Sequence, residues 1–514
     1  MRPGSLICLL ALGLSGCPGG DGALGDQCAR HSDCHGDLQC VSSVCVARCQ
    51  RAPECGDGYA CDESGLCQHA TGESGDSCKS EVDCVAGLSC RLQDVLDDNG
   101  AVISNCAAET SGRPAAEVCK DDSDCRNGTC ALGHCIDLCT NTRDCGFGTS
   151  CTNIPRVEAS GRMFGGCLQS RGALSWEIPI QSPSSQVQLP IPATARSVSV
   201  YFSVEDQSQK VGATMVTAPS GFPVIISPQS YYMNPVRHRP ELGQSVLAMP
   251  SSPMHPLQAG VYSLVVGSSR SVPDESDPDA SVDVVGTAIP TMTAVVKLDS
   301  SPLLDLHFHF LNFAEHPCAD AFGGTLDAAT AKEASFFQDD YLSALKDIFA
   351  RGGVTLNRMS YDDILDHPDL DALDVSKVGS LLSLGKDPVG INVFFVRTLS
   401  PIGLQAYAPN PGPAGLGGTR QSGIVIGLDT LCYRGWSQLA RLTAHELARY
   451  MGLYKNIEND PSNPATLYYD PIVEGDELGA GTDFLSNLMF YSERGGTDIS
   501  PNQREILSRS AVLR

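Results

Sequence analysis

The chain has 514 residues and a formal net charge of −25 at pH 7, from 60 acidic and 35 basic side chains. An acidic surface disfavours nucleic acids and anionic lipid surfaces as partners, because both would repel it. The length suffices for several domains, each with its own core. We therefore expect a multidomain protein.

Residues 1–16 predict an export signal. Arg2 precedes an apolar run over residues 6–14, which is the order of basic and apolar segments in a secretory signal peptide. The Leu-Ser-Gly-Cys ending at Cys17 resembles the bacterial lipobox, in which the cysteine is acylated and becomes the first mature residue. An ordinary signal peptide and a buried helix are the alternatives, since the run is too short to span a bilayer.

These features predict the location of the mature chain. Residues 17–27 are expected to form a flexible tether. No later run approaches the roughly 18 apolar residues that a membrane-spanning helix needs. We therefore expect an exported protein, anchored to a bacterial membrane through its lipid alone, at the outer membrane or cell surface.

Twenty of the 24 cysteines fall within residues 28–170 and repeat in five groups of four. Five residues separate the first two cysteines of each group, and an acidic residue precedes most of the second ones, as in "CARHSDC" and "CKSEVDC". Even numbers in an oxidising compartment predict disulfides in place of a core. Zinc knuckles are the alternative, but no Cys-x2-Cys pair occurs and exported thiols would oxidise. The spacing leaves the connectivity open.

The cysteine-rich region loosely resembles small modules of secreted proteins, found in Dickkopf-like chains and in bacterial surface lipoproteins. Such modules act as stiff spacers or as interaction surfaces. We expect a stalk, with an interaction surface as the alternative.

Residues 172–298 change to short alternating runs such as "SVSVYFSV", "SVLAMP" and "GVYSLVVGS", bounded by Pro, Gly and Ser. This spacing predicts an all-β sandwich. "LQAGVYSLVVGS" resembles a late hairpin of β-sandwich domains that accompany secreted bacterial peptidases. No catalytic constellation is evident, so a folding partner or binding module is expected.

Residues 303–514 alternate strands and helices, which predicts a mixed α/β sheet. "LLDLHFHFL" is a predicted strand whose His307 and His309 share one face; we expect partly buried strand residues rather than metal ligands. "AKEASFFQDDYLSALKDIFARGG" predicts an amphipathic helix that stops at Gly352. "INVFFVRTL" and "SGIVIGLD" are further strands, and "YAPNPGPAGLGGT" between them predicts a surface flap.

The stretch "TAHELARYMGLYK" predicts a helix with Ser437 as N-cap and Gly452 as a left-handed C-terminal residue. His445 and Glu446 are followed by Arg449 at i+4 and Lys455 at i+10 from the histidine. Leu439, Leu442 and Leu447 would face the core.

This helix resembles the zinc helix of metzincin metallopeptidases, and "NLMFY" resembles their Met-turn. The resemblance is greatest to pappalysin-like enzymes. It implies a twisted sheet packed on helices, a substrate cleft beside an edge strand (for which "SGIVIGLD" is our candidate), and Met489 beneath the metal. It also implies His445 as first zinc ligand, Glu446 as general base and Tyr491 as an additional ligand.

Arg449 and Lys455 stand where the second and third zinc histidines should be. Arginine has no lone pair to offer and brings positive charge to the metal position, while lysine binds only after losing its proton. We therefore expect no cofactor and a pseudo-peptidase in which Arg449 pairs with Glu446. Its cleft would bind an extended peptide or protein by strand addition.

An active zinc-dependent endopeptidase with an atypical site is the alternative, and a purely architectural surface protein is a third reading. Cys318 and Cys432 are the two cysteines of residues 303–514. In an oxidising compartment they should form one disulfide.

Overall fold

The computed structural model describes residues 20–226, 234–273, 281–311, 318, 326–459, 467–469, 484–492 and 495–514. The predicted signal peptide and Cys17 lie outside the described residues. The chain is multidomain and mostly β, with disulfide-rich modules followed by β-sheets and some helices. Within the described part, every helix is too short or too polar to cross a bilayer.

The chain divides into two compact units. The first holds the residues up to Cys130 together with Cys135–Thr152 and Phe164–Leu168. The second holds Ala131–His134, Asn153–Met163 and Gln169–Arg514. Both sheet-forming regions that follow the cysteines thus belong to one unit.

The cysteine-rich unit is closed by disulfides with one repeated pairing. In every group of four, the first cysteine bonds to the third and the second to the fourth. The pairs are Cys28–Cys40, Cys34–Cys45, Cys49–Cys61, Cys55–Cys67, Cys78–Cys90, Cys84–Cys106, Cys119–Cys130, Cys125–Cys135, Cys139–Cys151 and Cys145–Cys167. The predicted disulfides are confirmed, and their connectivity is now given.

Each group is built from a short helical turn and a hairpin. The 3₁₀ turns are His31–Asp33, Ala52–Glu54, Glu81–Asp83, Asp122–Asp124 and Thr142–Asp144. The antiparallel hairpins are β1 (Gln39–Val41) with β2 (Val44–Val46), β3 (Tyr59–Cys61) with β4 (Cys67–His69), β5 (Leu88–Leu96) with β6 (Val102–Ala108), β7 (Cys130–Ala131) with β8 (His134–Cys135), and β9 (Thr149–Arg156) with β10 (Arg162–Gln169).

The acidic residue before each second cysteine caps its own turn. Asp83 Oδ2 accepts from the backbone N–H groups of Lys79, at 2.7 Å, and Ser80, at 2.9 Å. Asp33 does the same for Ala29 and Arg30, and these bonds lower the pKa of its carboxyl. The repeat seen in the sequence therefore satisfies backbone donors that a short turn leaves unpaired.

Two antiparallel sheets follow, which we call the two-sheet region. One has the order β11 (Ala173–Ile178), β20 (Thr291–Lys297), β13 (Ser197–Ser203), β17 (Gln244–Met249). The other has the order β12 (Ser184–Ile191), β18 (Gly260–Pro273), β14 (Lys210–Thr217), β15 (Pro223–Ile225), with β16 (Glu241–Leu242) beside β14 and β19 (Ser281–Val285) beside β18.

His238 joins the two sheets of this region. Its Nε2 accepts from the N–H of Ala213 on β14, at 3.1 Å, and its Nδ1 donates to the carbonyl of Val246 on β17, at 2.9 Å. Burial lowers the pKa of His238 to about 4, so the ring is neutral near pH 7.

The α/β sheet has five strands, of which four are parallel. Their order is β22 (Thr355–Ile364), β21 (Leu303–Leu311), β24 (Ile391–Val396), β27 (Ile424–Gly427), β26 (Ala406–Tyr407). β26 runs antiparallel to β27. Two short pairs complete the strands: β23 (Ala372–Asp374) with β25 (Thr398–Ser400), and β28 (Ile457–Asn459) with β29 (Leu467–Tyr469).

Helices pack on both faces of this sheet. The helices are α1 (Ala328–Glu333), α2 (Ser343–Arg351), α3 (Val378–Leu382), α4 (Trp436–Tyr450) and α5 (Pro501–Arg509), and a π-helical turn, Phe336–Leu342, precedes α2. Phe308 and Phe310 of β21 meet α2 and α4 in one core, while Phe394 of β24 meets α3 in another. The amphipathic helix predicted to stop at Gly352 has a buried apolar face that includes Phe337, Leu345 and Phe349.

Three expectations are wrong in detail. The strand Ile424–Gly427 is not the sheet edge, because β26 pairs with it through Ala406↔Ile426 and Tyr407↔Val425. Residues 408–414 form no surface flap; apart from Asn410 they are buried, with the N–H of Gly412 bonded to the carbonyl of Tyr450. Ser437 is not the N-cap of α4, which begins one residue before it.

Candidate functional site

Helix α4 carries the central residues of the candidate site. It begins at Trp436, directly after Gly435. The N–H of Gly435 donates to Gln438 Oε1 at 3.2 Å. It ends before Gly452, which has a φ of +103°. Only glycine adopts that conformation cheaply, so the helix ends where the sequence predicts.

His445 is buried and hydrogen-bonded in the interior. Its Nδ1 donates to the carbonyl oxygen of Leu488, 2.8 Å away. Burial lowers the pKa of His445 to about 4, against the opposing effect of the Glu446 carboxylate. The ring is therefore neutral near pH 7, with its lone pair on Nε2.

The turn around Met489 is hydrogen-bonded to its neighbours and to α4. Met489 is fully buried, its N–H bonds to Asn487 Oδ1 at 2.8 Å, and its carbonyl accepts from the N–H of Asn456 at 3.0 Å. Arg441, one turn before His445, donates to the carbonyl of Leu488 at 3.3 Å.

Arg441 also donates to the carbonyls of Ser492 and Gly496, at 3.3 and 3.1 Å. We did not predict from the sequence that Arg441 binds the segment around Met489. Arg441 lies four residues before His445 and therefore on the same helix face, and this spacing could have indicated the contact.

Glu446 and Arg449 form an ion pair one turn apart on α4. Arg449 Nη1 lies 2.9 Å from Glu446 Oε2. The side chain of Arg449 is 23% exposed and that of Glu446 is 8% exposed. The pairing expected from the sequence is therefore present. The guanidinium therefore compensates the charge of this largely buried carboxylate and occupies one of its oxygens.

Two further side chains lie near this pair. Burial raises the pKa of Tyr407 on β26, and the charges of Glu241 and Glu446 add to that rise while Arg449 opposes it. Burial also raises the pKa of Glu241, on β16 of the two-sheet region, and the charges of Arg239 and Arg449 oppose that rise. Neither residue could be found from the sequence, because they come from segments more than 150 residues apart.

The loop over residues 408–414 caps the C-terminal end of α4. With its amide oriented to satisfy its donors, Asn410 Nδ2 donates to the carbonyls of Arg449, at 3.1 Å, and Leu453, at 3.2 Å. Tyr454 binds the two-sheet region: its hydroxyl donates to the carbonyl of Arg237 at 2.8 Å. The loop, the helix end and the two-sheet region therefore meet at this site.

Tyr491, the additional ligand that the resemblance implies, and Lys455, at the position of the third histidine, complete the predicted set. Tyr491 is 55% exposed, and its ring contacts that of Phe490 with 4.6 Å between centroids. In the described part of the chain its hydroxyl has no hydrogen-bond partner. Lys455 is half-buried and follows the glycine that ends α4.

The donor set does not fit zinc. A catalytic zinc needs three protein ligands with free lone pairs. Among the described residues, the groups of three His, Cys, Asp or Glu donors close enough to share an ion are all cysteines of the first unit, which are in disulfides. Around His445, the neighbouring helical turn supplies a guanidinium and a carboxylate bound to it.

His307 and His309 are satisfied strand residues, as expected. His307 bonds through Nδ1 to Ser360 Oγ at 2.8 Å and through Nε2 to the carbonyl of Val389 at 2.7 Å. His309 Nε2 lies 3.0 Å from Asn392 Oδ1. Both nitrogens of His307 are occupied, which leaves it no lone pair for a metal.

Cys318 and Cys432 form a disulfide with Cα atoms 5.2 Å apart, so this predicted pair is confirmed. No protein-family model and no curated protein matches this chain. Function must therefore be inferred from the site itself: a neutral histidine, a carboxylate bound by an arginine, and an adjoining edge strand.

Proposed function

We propose that residues 303–514 form a metzincin-like, pappalysin-like domain that binds extended peptide without cutting it. The observation that carries this proposal is the 2.9 Å ion pair between Glu446 and Arg449. In the family that the helix resembles, these positions belong to the general base and the second zinc ligand.

The ion pair removes both parts of the peptidase chemistry. The glutamate of such a helix takes a proton from a metal-bound water. Here its carboxylate is bound to a guanidinium that stays protonated and offers no lone pair. One neutral imidazole, that of His445, does not replace three ligands.

The edge of the α/β sheet supports peptide binding. β26 is the last strand of this sheet among the described residues, and it pairs with β27 on one side only. An extended peptide can add to such an edge through main-chain hydrogen bonds. Because Tyr407 of β26 lies near Glu446 and Arg449, a bound peptide would pass beside the ion pair.

The order of the elements also supports the proposal. A mixed sheet with helices on its faces precedes α4, as the resemblance implies, and the turn at Met489 is bonded to α4 through His445. The lipobox-like ending at Cys17 supports export and lipid anchoring, so that the domain is displayed at a bacterial membrane surface.

Metal content and proteolysis together test the proposal. The chain lacking residues 1–17 would be purified, its zinc measured by mass spectrometry, and its action on unfolded protein substrates compared with that of Glu446→Ala. We expect no bound zinc, no cleavage by either chain, and saturable binding of extended peptides that Tyr407→Ala weakens. Cleavage that a chelator blocks and that Glu446→Ala abolishes would establish the alternative, an active zinc endopeptidase.

A further inference from the structure

A cavity of about 650 Å³ opens beside α4, apart from the ion pair. Its wall includes Ser437 and Gln438 in the first turn of α4 and Ile348 of α2. Neither Glu446 nor Arg449 lines it. Its volume lies within the roughly 300–1,000 Å³ of small-molecule sites.

The described lining is basic, in a chain with 60 acidic and 35 basic residues. It includes Arg351, Arg434 and Arg441 against the single acid Asp347. Arg441 is fixed by three backbone carbonyls. Arg351 Nη1 donates to Thr497 Oγ1 at 2.8 Å and lies 3.4 Å from Oδ1 of the exposed Asp498, which is outside the lining. Guanidinium groups held in place suit the oxygens of carboxylates and phosphates.

The N-terminus of α4 adds to this positive potential. The helix has 15 residues, and its N-cap, Gly435, has no side chain to accept from the first turn. Unpaired N–H groups and the helix dipole both favour an anion at such an end.

A buried hydroxyl in the wall provides independent evidence for a ligand. Thr430 lines the cavity and is fully buried, and its Oγ1 has no hydrogen-bond partner among the described residues. Buried polar atoms are seldom left unpaired, because their desolvation is then uncompensated. An oxygen of a ligand in the cavity would pair with this hydroxyl.

We propose that this cavity binds a small carboxylate- or phosphate-bearing molecule. The guanidinium groups of Arg351, Arg434 and Arg441, the first turn of α4 and the hydroxyl of Thr430 would hold its anionic group. The inference does not depend on the peptide-binding proposal, since the two sites share neither the ion pair nor Tyr407.

Anion titration tests the inference. Sodium phosphate and sodium citrate would be titrated by calorimetry into the chain lacking residues 1–17, at an ionic strength fixed with sodium chloride. We expect about one phosphate or one citrate per chain, and the tighter of the two identifies the chemical class. Since hydrogen bonds to charged groups are the strong ones, Arg434→Gln should weaken binding about tenfold or more.

Two variants sharpen the test. Thr430→Val keeps the volume but removes the hydroxyl, and should weaken binding by a smaller factor. Arg358→Gln removes an equal charge from an exposed position on β22 and should bind like wild type. Should Arg434→Gln fold poorly, Arg351→Gln replaces it, because that side chain is 54% exposed.

Three results would each overturn the inference. The first is a wild type that takes up neither anion saturably. The second is wild-type affinity in both cavity variants, Thr430→Val and the arginine variant. The third is an equal loss of affinity in Arg358→Gln, which would show that only the overall charge matters.

Discussion

His445 donates from Nδ1 to the carbonyl oxygen of Leu488 at 2.8 Å, and so joins α4 to the residue immediately before Met489. Arg441 donates to the same carbonyl. Two hydrogen bonds therefore join the two segments that would frame a zinc centre in the family resembled. Under the proposed function, Arg449 and Lys455 are the two side chains that distinguish this site from a zinc centre.

Restoring both histidines should restore metal binding. The double variant Arg449→His, Lys455→His should take up about one zinc per chain, because His445, Glu446 and Gly452 are already in register. Zinc at 100 times its dissociation constant should then raise the free energy of unfolding by about 2.7 kcal/mol. Zinc content and denaturation with and without zinc measure this.

The matched control for this variant adds His445→Ala, which should abolish the zinc uptake. A correctly folded double variant that binds no zinc would show that other residues also block the site. One zinc per chain in wild type would contradict the proposed loss of the metal.

The buried His238 should make the protein acid-sensitive. Burial lowers its pKa from 6.5 to about 4, so the unfolded chain takes up the proton first. The stabilisation is present above about pH 6.5 and is lost as the pH falls toward 4, by about 3 kcal/mol.

His238→Gln tests this pH dependence. The variant cannot titrate, so its deficit in unfolding free energy should shrink between pH 7.5 and pH 4.5 in urea denaturation. The exposed His255→Gln is the control and should follow wild type. A deficit that stays constant over this range would contradict the role given to His238.

The buried Lys297 should stabilise the contact between the two-sheet region and the C-terminal segment. Its Nζ donates to the carbonyl of Leu513 at 2.7 Å and lies 3.4 Å from Asp299. Lys297→Met leaves the carbonyl of Leu513 and the carboxylate of Asp299 without this partner. It should therefore lower the free energy of unfolding by about 2–4 kcal/mol. Lys210→Met, which breaks the exposed pair with Asp283, should cost less than about 1 kcal/mol. Equal effects in denaturation curves would show that burial is not decisive.

The disulfide Cys318–Cys432 should stabilise the second unit by shortening its unfolded chain. The bond joins residues 114 apart. Replacing both cysteines by serine should lower the free energy of unfolding by about 2–5 kcal/mol. Denaturation measures the loss, and mass spectrometry of the wild type under non-reducing conditions verifies the bond. Free thiols at both positions in the exported protein would contradict the pairing.

Acylation at Cys17 should hold the protein at a membrane. In the proposed bacterial setting, wild type should partition into detergent, whereas Cys17→Ala should appear in the aqueous fraction, because the mature chain has no other expected anchor. The same fractionation for both chains would exclude lipidation at Cys17 as the anchor.

The sequence was most informative where local chemistry decides the structure. Gly452 ends α4 because a φ of +103° there requires glycine. The strand Leu303–Leu311 follows from its alternation, which places the half-buried His307 and His309 on one face as predicted, opposite the buried Phe308 and Phe310. The ion pair between Glu446 and Arg449 follows from helical spacing alone.

It was least informative where distant segments meet. β26 has only two residues, too few to show a periodicity, so the sheet edge was assigned to the neighbouring strand. The loop over residues 408–414 has a composition typical of a surface, but its backbone groups pair with the end of α4. Glu241 and Tyr407 approach the ion pair only through tertiary packing.

The repeated disulfide pairing gives the cysteine-rich unit a mechanical property. When the chain is pulled from Cys28 to Cys45, the load passes through the Cys28–Cys40 bond and bypasses 12 residues of backbone. At roughly 3.5 Å per extended residue, about 40 Å of contour length stays out of reach in that module. A cysteine-rich unit closed in this way resists lengthening under a pulling force, and cleavage of its disulfides by a reductant would release this backbone length.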